Sequence, residues 1–180
     1  MTGIDDIGPE QFGTATRTGD GFELDFARDY LYPHDLVWRS VTDPERARLW
    51  WAETRVDPRV GGEFAVRWLN GRDGEPLEWL DGEILAIDEG RSIQFSNSDH
   101  GLLRWEVTPT PSGTRLRFTA QTTPAEERFV AMSLAGWHIH LDHLAQVLAG
   151  GTIDWSTWYA EYEPAWTALH EHYRGATGLQ

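Results

Sequence analysis

Hydrophobic and polar residues alternate through Phe22, Leu24 and Phe26, and Tyr30 and Tyr32 prolong the alternation to Pro33. That period of two is the period of a half-buried strand. Pro33 suits the first turn of a helix, and Leu36, Val37, Ser40 and Val41 then share one face until Thr42-Asp43-Pro44 stops the segment. A second short helix is expected from Pro44, carrying Leu49, Trp50 and Trp51. From Thr54 the period of two returns. Phe64, Val66 and Trp68 form one run, Asn70 to Gly74 a turn, and Leu77 to Ile87 a further strand with a bulge or bend at Asp81-Gly82. Ile93 with Phe95, then Leu103, Trp105 and Val107, mark two more strands. After a turn over Pro109 to Gly113, Leu116, Phe118 and Ala120 bring the count to about six or seven antiparallel strands.

Beyond Thr123-Pro124 the period switches to 3.6 residues. Thr123 is placed to cap a helix and Pro124 to open it, with Glu126 and Glu127 near the positive end of its dipole. Phe129, Val130, Ser133, Trp137, His140, Leu141, Leu144, Val147 and Leu148 then make one wide stripe that ends at Gly150-Gly151. So large an apolar stripe needs a cover, and the only element of matching size is the meander of strands, curved around the helix. A last segment places Trp155, Trp158, Tyr159, Tyr162, Trp166, Leu169 and Tyr173 at helical spacing behind Asp154 as N-cap. Pro164 within it predicts a kink or a pair of short helices. Its aromatic face must be buried, either on its own domain or across a homodimer interface. The expected organisation is α+β, with a loose tail over 1–20, one domain over 21–151 and a helical extension over 152–180.

The net charge of −14 sets the chain against nucleic acid and anionic membrane as partners. All basic residues are Arg, so Schiff-base and phosphate-loop lysine chemistry are absent, and without cysteine there is no thiolate, disulfide or cysteine-rich zinc site. The N-terminal stretch has neither the basic nor the apolar region of a secretory signal, and no run of about 20 apolar residues occurs, so a cytoplasmic protein is expected. Nucleophile elbows, glycine-rich phosphate loops and the His-Glu-x-x-His pattern are all missing.

Val37-Trp38-Arg39-Ser40-Val41-Thr42-Asp43-Pro44-Glu45-Arg46, followed by Leu49-Trp50-Trp51, resembles the opening of the START-like, or Bet v 1-like (SRPBCC), superfamily. Within it the chain is similar to bacterial proteins related to the C-terminal domain of the activator of the ninety-kilodalton heat-shock chaperone ATPase. Asp57 to Phe64, Gly82-Glu83-Ile84, Gly113 to Leu116, Gly136-Trp137 and Leu141 to Leu144 continue the likeness in the same order. The resemblance spans about Phe22 to Gly150 and implies a helix-grip fold, in which a curved antiparallel sheet grips the long helix around an internal cavity. It also implies three kinds of activity: holding a hydrophobic small molecule, cyclase or dehydratase chemistry, or assisting a chaperone. Fold alone does not choose among them.

Apolar alternation nominates Phe64, Val66, Trp68, Trp79, Trp105 and Phe118 from the strands as cavity wall, with Trp137 and Leu144 from the helix. Trp50 and Trp51 are nominated for the mouth. His140 stands in the apolar stripe where leucine is expected, so it either bonds a neighbouring backbone group or orients a ligand, with Ser133 as a second polar contact. His138, His140 and His143 do not converge on a metal, since His138 and His140 project nearly opposite ways and His138 shares the outer face with Asp142. His170 and His172 read as solvated. No metal and no cofactor are expected. The leading reading is noncatalytic binding of a hydrophobic or aromatic small molecule; the alternatives are a polyketide cyclase or dehydratase-like enzyme and a chaperone ATPase co-regulator.

Overall fold

The computed structural model describes residues 4, 7–19, 21–98, 100–122 and 127–177. Its elements follow as β1 (Thr14–Thr18), β2 (Gly21–Tyr30), α1 (His34–Thr42), α2 (Pro44–Ala47), β3 (Ala52–Val56), β4 (Phe64–Trp68), β5 (Gly82–Asp88), β6 (Ser92–Asn97), β7 (Gly101–Thr110), β8 (Gly113–Thr122), α3 (Glu127–Leu148) and α4 (Trp158–Thr177). This is the α+β helix-grip architecture. Six strands pair in the order β1-β2-β8-β7-β6-β5, while β3 and β4 form a hairpin of their own. The hairpin is tied to β5 by Glu63↔Glu83 and to the connection before β5 by Val66↔Leu80, with paired backbone bonds between Val66 and Leu80.

Register explains which side chains meet. Phe26 faces Phe118, Phe118 faces Trp105, and Trp105 faces Ile93, so one row of large apolar side chains crosses the inner face of four strands. The outer face carries the complementary row. Arg115 grips Asp29 through Nε and Nη2 at 2.8 and 2.6 Å, and Arg117 grips Asp25 through the same two nitrogens. Arg117 also approaches Glu106, which in turn accepts from Arg104 at 2.8 Å. The acidic and arginine residues of the strands are therefore largely paired with each other on the solvent side.

Four expectations need correction. Part of the segment read as a loose tail is ordered structure: Thr14–Thr18 pairs with β2 from Thr14↔Asp25 to Thr18↔Gly21. Polar alternation on an edge strand carries little hydrophobic signal. The strand expected from Leu77 starts only at Gly82, and the irregularity lies between Ile84 and Ala86 rather than at Asp81-Gly82. Trp50 and Trp51 follow α2 in a turn instead of lying within a helix. Finally, α4 runs unbroken through Pro164. The expected cap at Thr123, Pro124 and Glu126 falls outside the described residues.

α4 lies along α3 and buries Trp158, Leu169 and Tyr173. Two buried side-chain bonds fasten it: the Trp158 indole N–H donates to His143 Nε2 at 2.7 Å, and the Tyr173 hydroxyl meets His138 Nδ1 at 2.8 Å. Tyr173 also accepts from the Gly13 backbone N–H at 3.0 Å, so one phenol joins both helices to the N-terminal segment. No helix among the described residues is long and apolar enough to cross a membrane.

Candidate functional site

Between the sheet and α3 the aromatic side chains fall into two groups. The first is packed. Trp105 stacks on Phe118 at 4.3 Å, Phe118 meets Trp137 at 4.1 Å, and Phe64 stacks on Phe95 at 3.7 Å. Trp50 and Trp51 are fully buried against Trp105, with Trp51 also touching Trp137. Neither tryptophan stands at a cavity mouth, because the turn after α2 folds inward beneath the sheet. The Trp50 N–H is held by the Ser40 carbonyl at 2.7 Å. Phe64, Val66, Trp105, Phe118 and Leu144 are likewise buried core rather than open wall.

The second group surrounds open space of about 450 Å³. That lies within the roughly 300–1,000 Å³ usual for small-molecule sites. Trp68 from β4, Leu77, Glu78 and Leu80 from the β4–β5 connection, and His100 from the β6–β7 turn line one side. α3 supplies Phe129, Met132, Ser133, Gly136, Trp137 and His140, and α4 contributes Trp166. Of the residues nominated from sequence, the pocket thus brings together Trp68, Ser133, Trp137 and His140. Trp79 is elsewhere: it lies on the outer face, where Arg55 stacks 3.9 Å from its ring centre and Arg67 5.0 Å. Strand alternation misplaced it because the chain before Gly82 is not a strand and has no fixed inward parity.

Gly136 explains why the space exists. It occupies the middle of α3, where glycine costs about 1 kcal/mol relative to alanine. A Cβ atom placed there would meet nothing within 4 Å. Helix propensity argues against glycine at this point, yet the residue keeps the pocket open. An interior glycine on the apolar stripe was the signal that could have located the site. The contributions of His100, Asn70, Leu77 and Trp166 come from connections and from α4, whose placement no periodicity fixes.

His140 is the buried polar group of the pocket. Its Nδ1 lies 3.2 Å from the Trp50 carbonyl, which can only accept, so Nδ1 carries the proton. Burial pushes the imidazole down to about 4, partly opposed by that backbone bond. Near neutral pH it is therefore uncharged, and Nε2 is a lone-pair acceptor. Trp68, Trp158 and Trp137 surround the ring. Trp68 brings an indole N–H that is buried without an acceptor. Among the described residues the site offers the Trp68 N–H, the His140 Nε2 acceptor, the Ser133 hydroxyl, the Asn70 amide and aromatic faces, with the Glu78 carboxylate on its wall.

His138, expected on an exposed face, is 1% exposed, because α4 and Phe12 cover that side of α3. Burial pushes His138 and His143 down to about 3. His143 accepts the Trp158 N–H through Nε2, which requires that nitrogen to be unprotonated. His170 and His172, read as solvated, stack on Trp166 and Phe12 respectively.

The family model for the Activator of Hsp90 ATPase homolog 1-like protein matches residues 31–149. No curated protein matches the sequence. Among solved structures, the chain is similar to CalU16 from Micromonospora echinospora, with 21% identity, a TM-score of 0.68 and coverage of 92% of this chain and 96% of that one. A protein of unknown function from Enterococcus faecalis, EF2215, superposes with a TM-score of 0.69 at 17% identity, covering 93% and 92%. DynU16, a protein in the dynemicin biosynthetic locus, gives 0.63 at 23% identity over 75% of this chain and 49% of that chain. Likeness at this level of identity concerns the fold.

Proposed function

Because the chain belongs to the family of Activator of Hsp90 ATPase homolog 1-like proteins, we propose that it uses the open end of its helix-grip fold to hold a hydrophobic or aromatic small molecule without transforming it. The observation that carries this reading is the pocket beside Ser133 and Gly136 of α3, walled by Trp68, Trp137, Trp166 and Phe129. Flat apolar faces there would stack a ring system, and burial of apolar area contributes roughly 25 cal/mol per Å². The neutral His140 Nε2 accepts a hydroxyl from the guest, and the free Trp68 N–H suits a carbonyl or ether oxygen.

A cyclase or dehydratase reading needs His140 as proton acceptor. An imidazole held near 4 is a weak base at neutral pH, which favours orientation of the guest over proton transfer. The chaperone co-regulator reading rests on the family description alone, and a pull-down with the purified chaperone tests it. For the binding reading, the experiment is titration with 2-naphthol followed by tryptophan fluorescence. The wild-type protein is expected to take up one equivalent, and His140→Leu to bind about tenfold more weakly, a hydrogen bond's worth. Equal affinity for 2-naphthol and naphthalene in the wild type would remove His140 from the account, and no saturable binding of either would remove the pocket.

A further inference from the structure

The pocket beside Gly136 has a buried floor and an exposed mouth. Trp137 and His140 are buried, whereas Leu77, Glu78 and Phe129 on the same wall are exposed. Glu78 therefore stands where a guest enters, and a charge that meets it there keeps part of its water. The sequence has no lysine, and among the described residues no arginine lines this pocket.

Glu78 is unlike the carboxylates of the sheet. Asp25 and Asp29 are gripped by Arg117 and Arg115, and Glu53 accepts from Arg67 Nε at 2.8 Å. Asp142, on the wall of a concave groove of about 790 Å³ between α3 and α4, approaches His138 Nε2 at 3.7 Å. Glu78 has no hydrogen bond and no ion pair with any described residue. Its connection, between β4 and β5, holds the carboxylates of Asp73, Glu75, Glu78 and Asp81 against the single cation of Arg72. Arg72 is committed to α4: its Nη2 donates to the Tyr159 hydroxyl at 2.7 Å, and its guanidinium lies 4.8 Å from the centre of that ring. The mouth is thus acidic in a chain of net charge −14, whose field repels anions and gathers cations. The walls act in the same sense. Trp68, Trp137, Trp166 and Phe129 carry negative charge on their ring faces, which attract an ammonium within about 6 Å.

We infer that the guest of this pocket is an aromatic amine held in its protonated form, with its ring system among the aromatic walls and its ammonium at the mouth on Glu78. The inference rests on the binding reading above and narrows it. Neutral polar groups of the guest go to His140 and Trp68, and positive charge selects among guests of equal apolar area. A carboxylate of the same shape is disfavoured, since it sets like charge against Glu78 with no arginine on the described wall to receive it.

Calorimetric titration of the full chain with 2-naphthylmethylamine, 2-naphthylmethanol and 2-naphthoate, which share a ring system and differ in charge, tests this. The amine is expected to bind about fivefold more tightly than the alcohol, and the alcohol about fivefold more tightly than the carboxylate, the margin of one partly hydrated charge contact. Glu78→Gln, at an exposed position without side-chain bonds, brings the amine to within about twofold of the alcohol. Glu75→Gln removes the same charge from the same connection away from the pocket wall and leaves the order intact, while Gly136→Leu abolishes uptake of all three. Saturable binding of amine and alcohol with equal affinity overturns this inference and leaves the binding reading standing. Absence of saturable binding for all three removes the pocket and the inference with it. An amine preference that survives Glu78→Gln, that Glu75→Gln lowers as much, or that persists in Gly136→Leu places the recognition of charge elsewhere and also overturns the inference.

Discussion

The packed interior and the open end of this domain are built from the same kinds of residue, and they differ in what α3 sets against them. Opposite Trp105 and Phe118 the helix presents Trp137, and the rings close to 4.1–5.6 Å. Opposite Trp68 it presents Ser133 and Gly136 as well, and about 450 Å³ stays open. Curvature of the sheet is common to both regions, so curvature alone does not make a cavity. A small residue on the gripped helix decides where the space lies.

The comparison can be broken first on its packed side. Trp137→Ala removes the ring that joins Trp51, Trp68, Trp105 and Phe118, and is expected to cost about 3–5 kcal/mol of stability in urea unfolding. A loss below about 1 kcal/mol would mean that the interior is looser than its ring distances imply.

Acid sharpens the boundary. His138, His140 and His143 are held neutral, so their folded pKa values lie below the unfolded value near 6.5. The unfolded chain binds more protons between the two, so their contribution is fully present above about 6.5 and is withdrawn as pH falls toward 4 and then 3. Each withdraws up to about 1.4 kcal/mol per pH unit across that window. Asp142 works in the opposite sense, because the concave groove withholds enough water to lift its carboxyl to about 6; half exposed, it offsets only a fraction. Thermal melts from pH 7 to pH 4.5 should show falling stability, and the fall should shrink in His140→Leu, which removes one of the three buried neutral imidazoles. A flat profile would contradict the buried neutral histidines.

On the open side the effects are smaller. Gly136→Ala should raise stability by about 0.5–1 kcal/mol, since an added methyl meets open space and the helix gains from losing glycine. Arg115→Ala, which breaks an exposed pair with Asp29, should cost no more than about 1 kcal/mol. A larger cost would mean that the outer arginine ladder supports the sheet as strongly as the inner aromatic row.

Periodicity made the strands β2, β6, β7 and β8 legible, because in each the buried side chains alternate; in β4 and α3 the large apolar side chains follow the period of the element although burial is continuous over Phe64, Ala65 and Val66 and from Trp137 to Leu141. The candidate site was legible only in part. Trp68, Ser133, Trp137 and His140 were found because they lie on such elements. Trp79 was misplaced and Trp166 and His100 were missed, since an irregular connection and a helix beyond the sheet obey no parity. The mouth expected at Trp50 and Trp51 gives way to buried core because a turn, and not a helix, carries both rings inward. Arg28 shares the parity of Phe22, Leu24, Phe26 and Tyr30 and is buried with them on the inner face.

The most direct measurement is a comparison of the wild-type protein with Gly136→Leu, each titrated with 2-naphthol while the indole N–H resonances of Trp68 and Trp137 are followed by NMR. Saturable shifts in the wild type that vanish in Gly136→Leu, with an undiminished melting temperature, are the expected result. Identical shifts in both proteins would show that the guest does not occupy the space that this glycine keeps open.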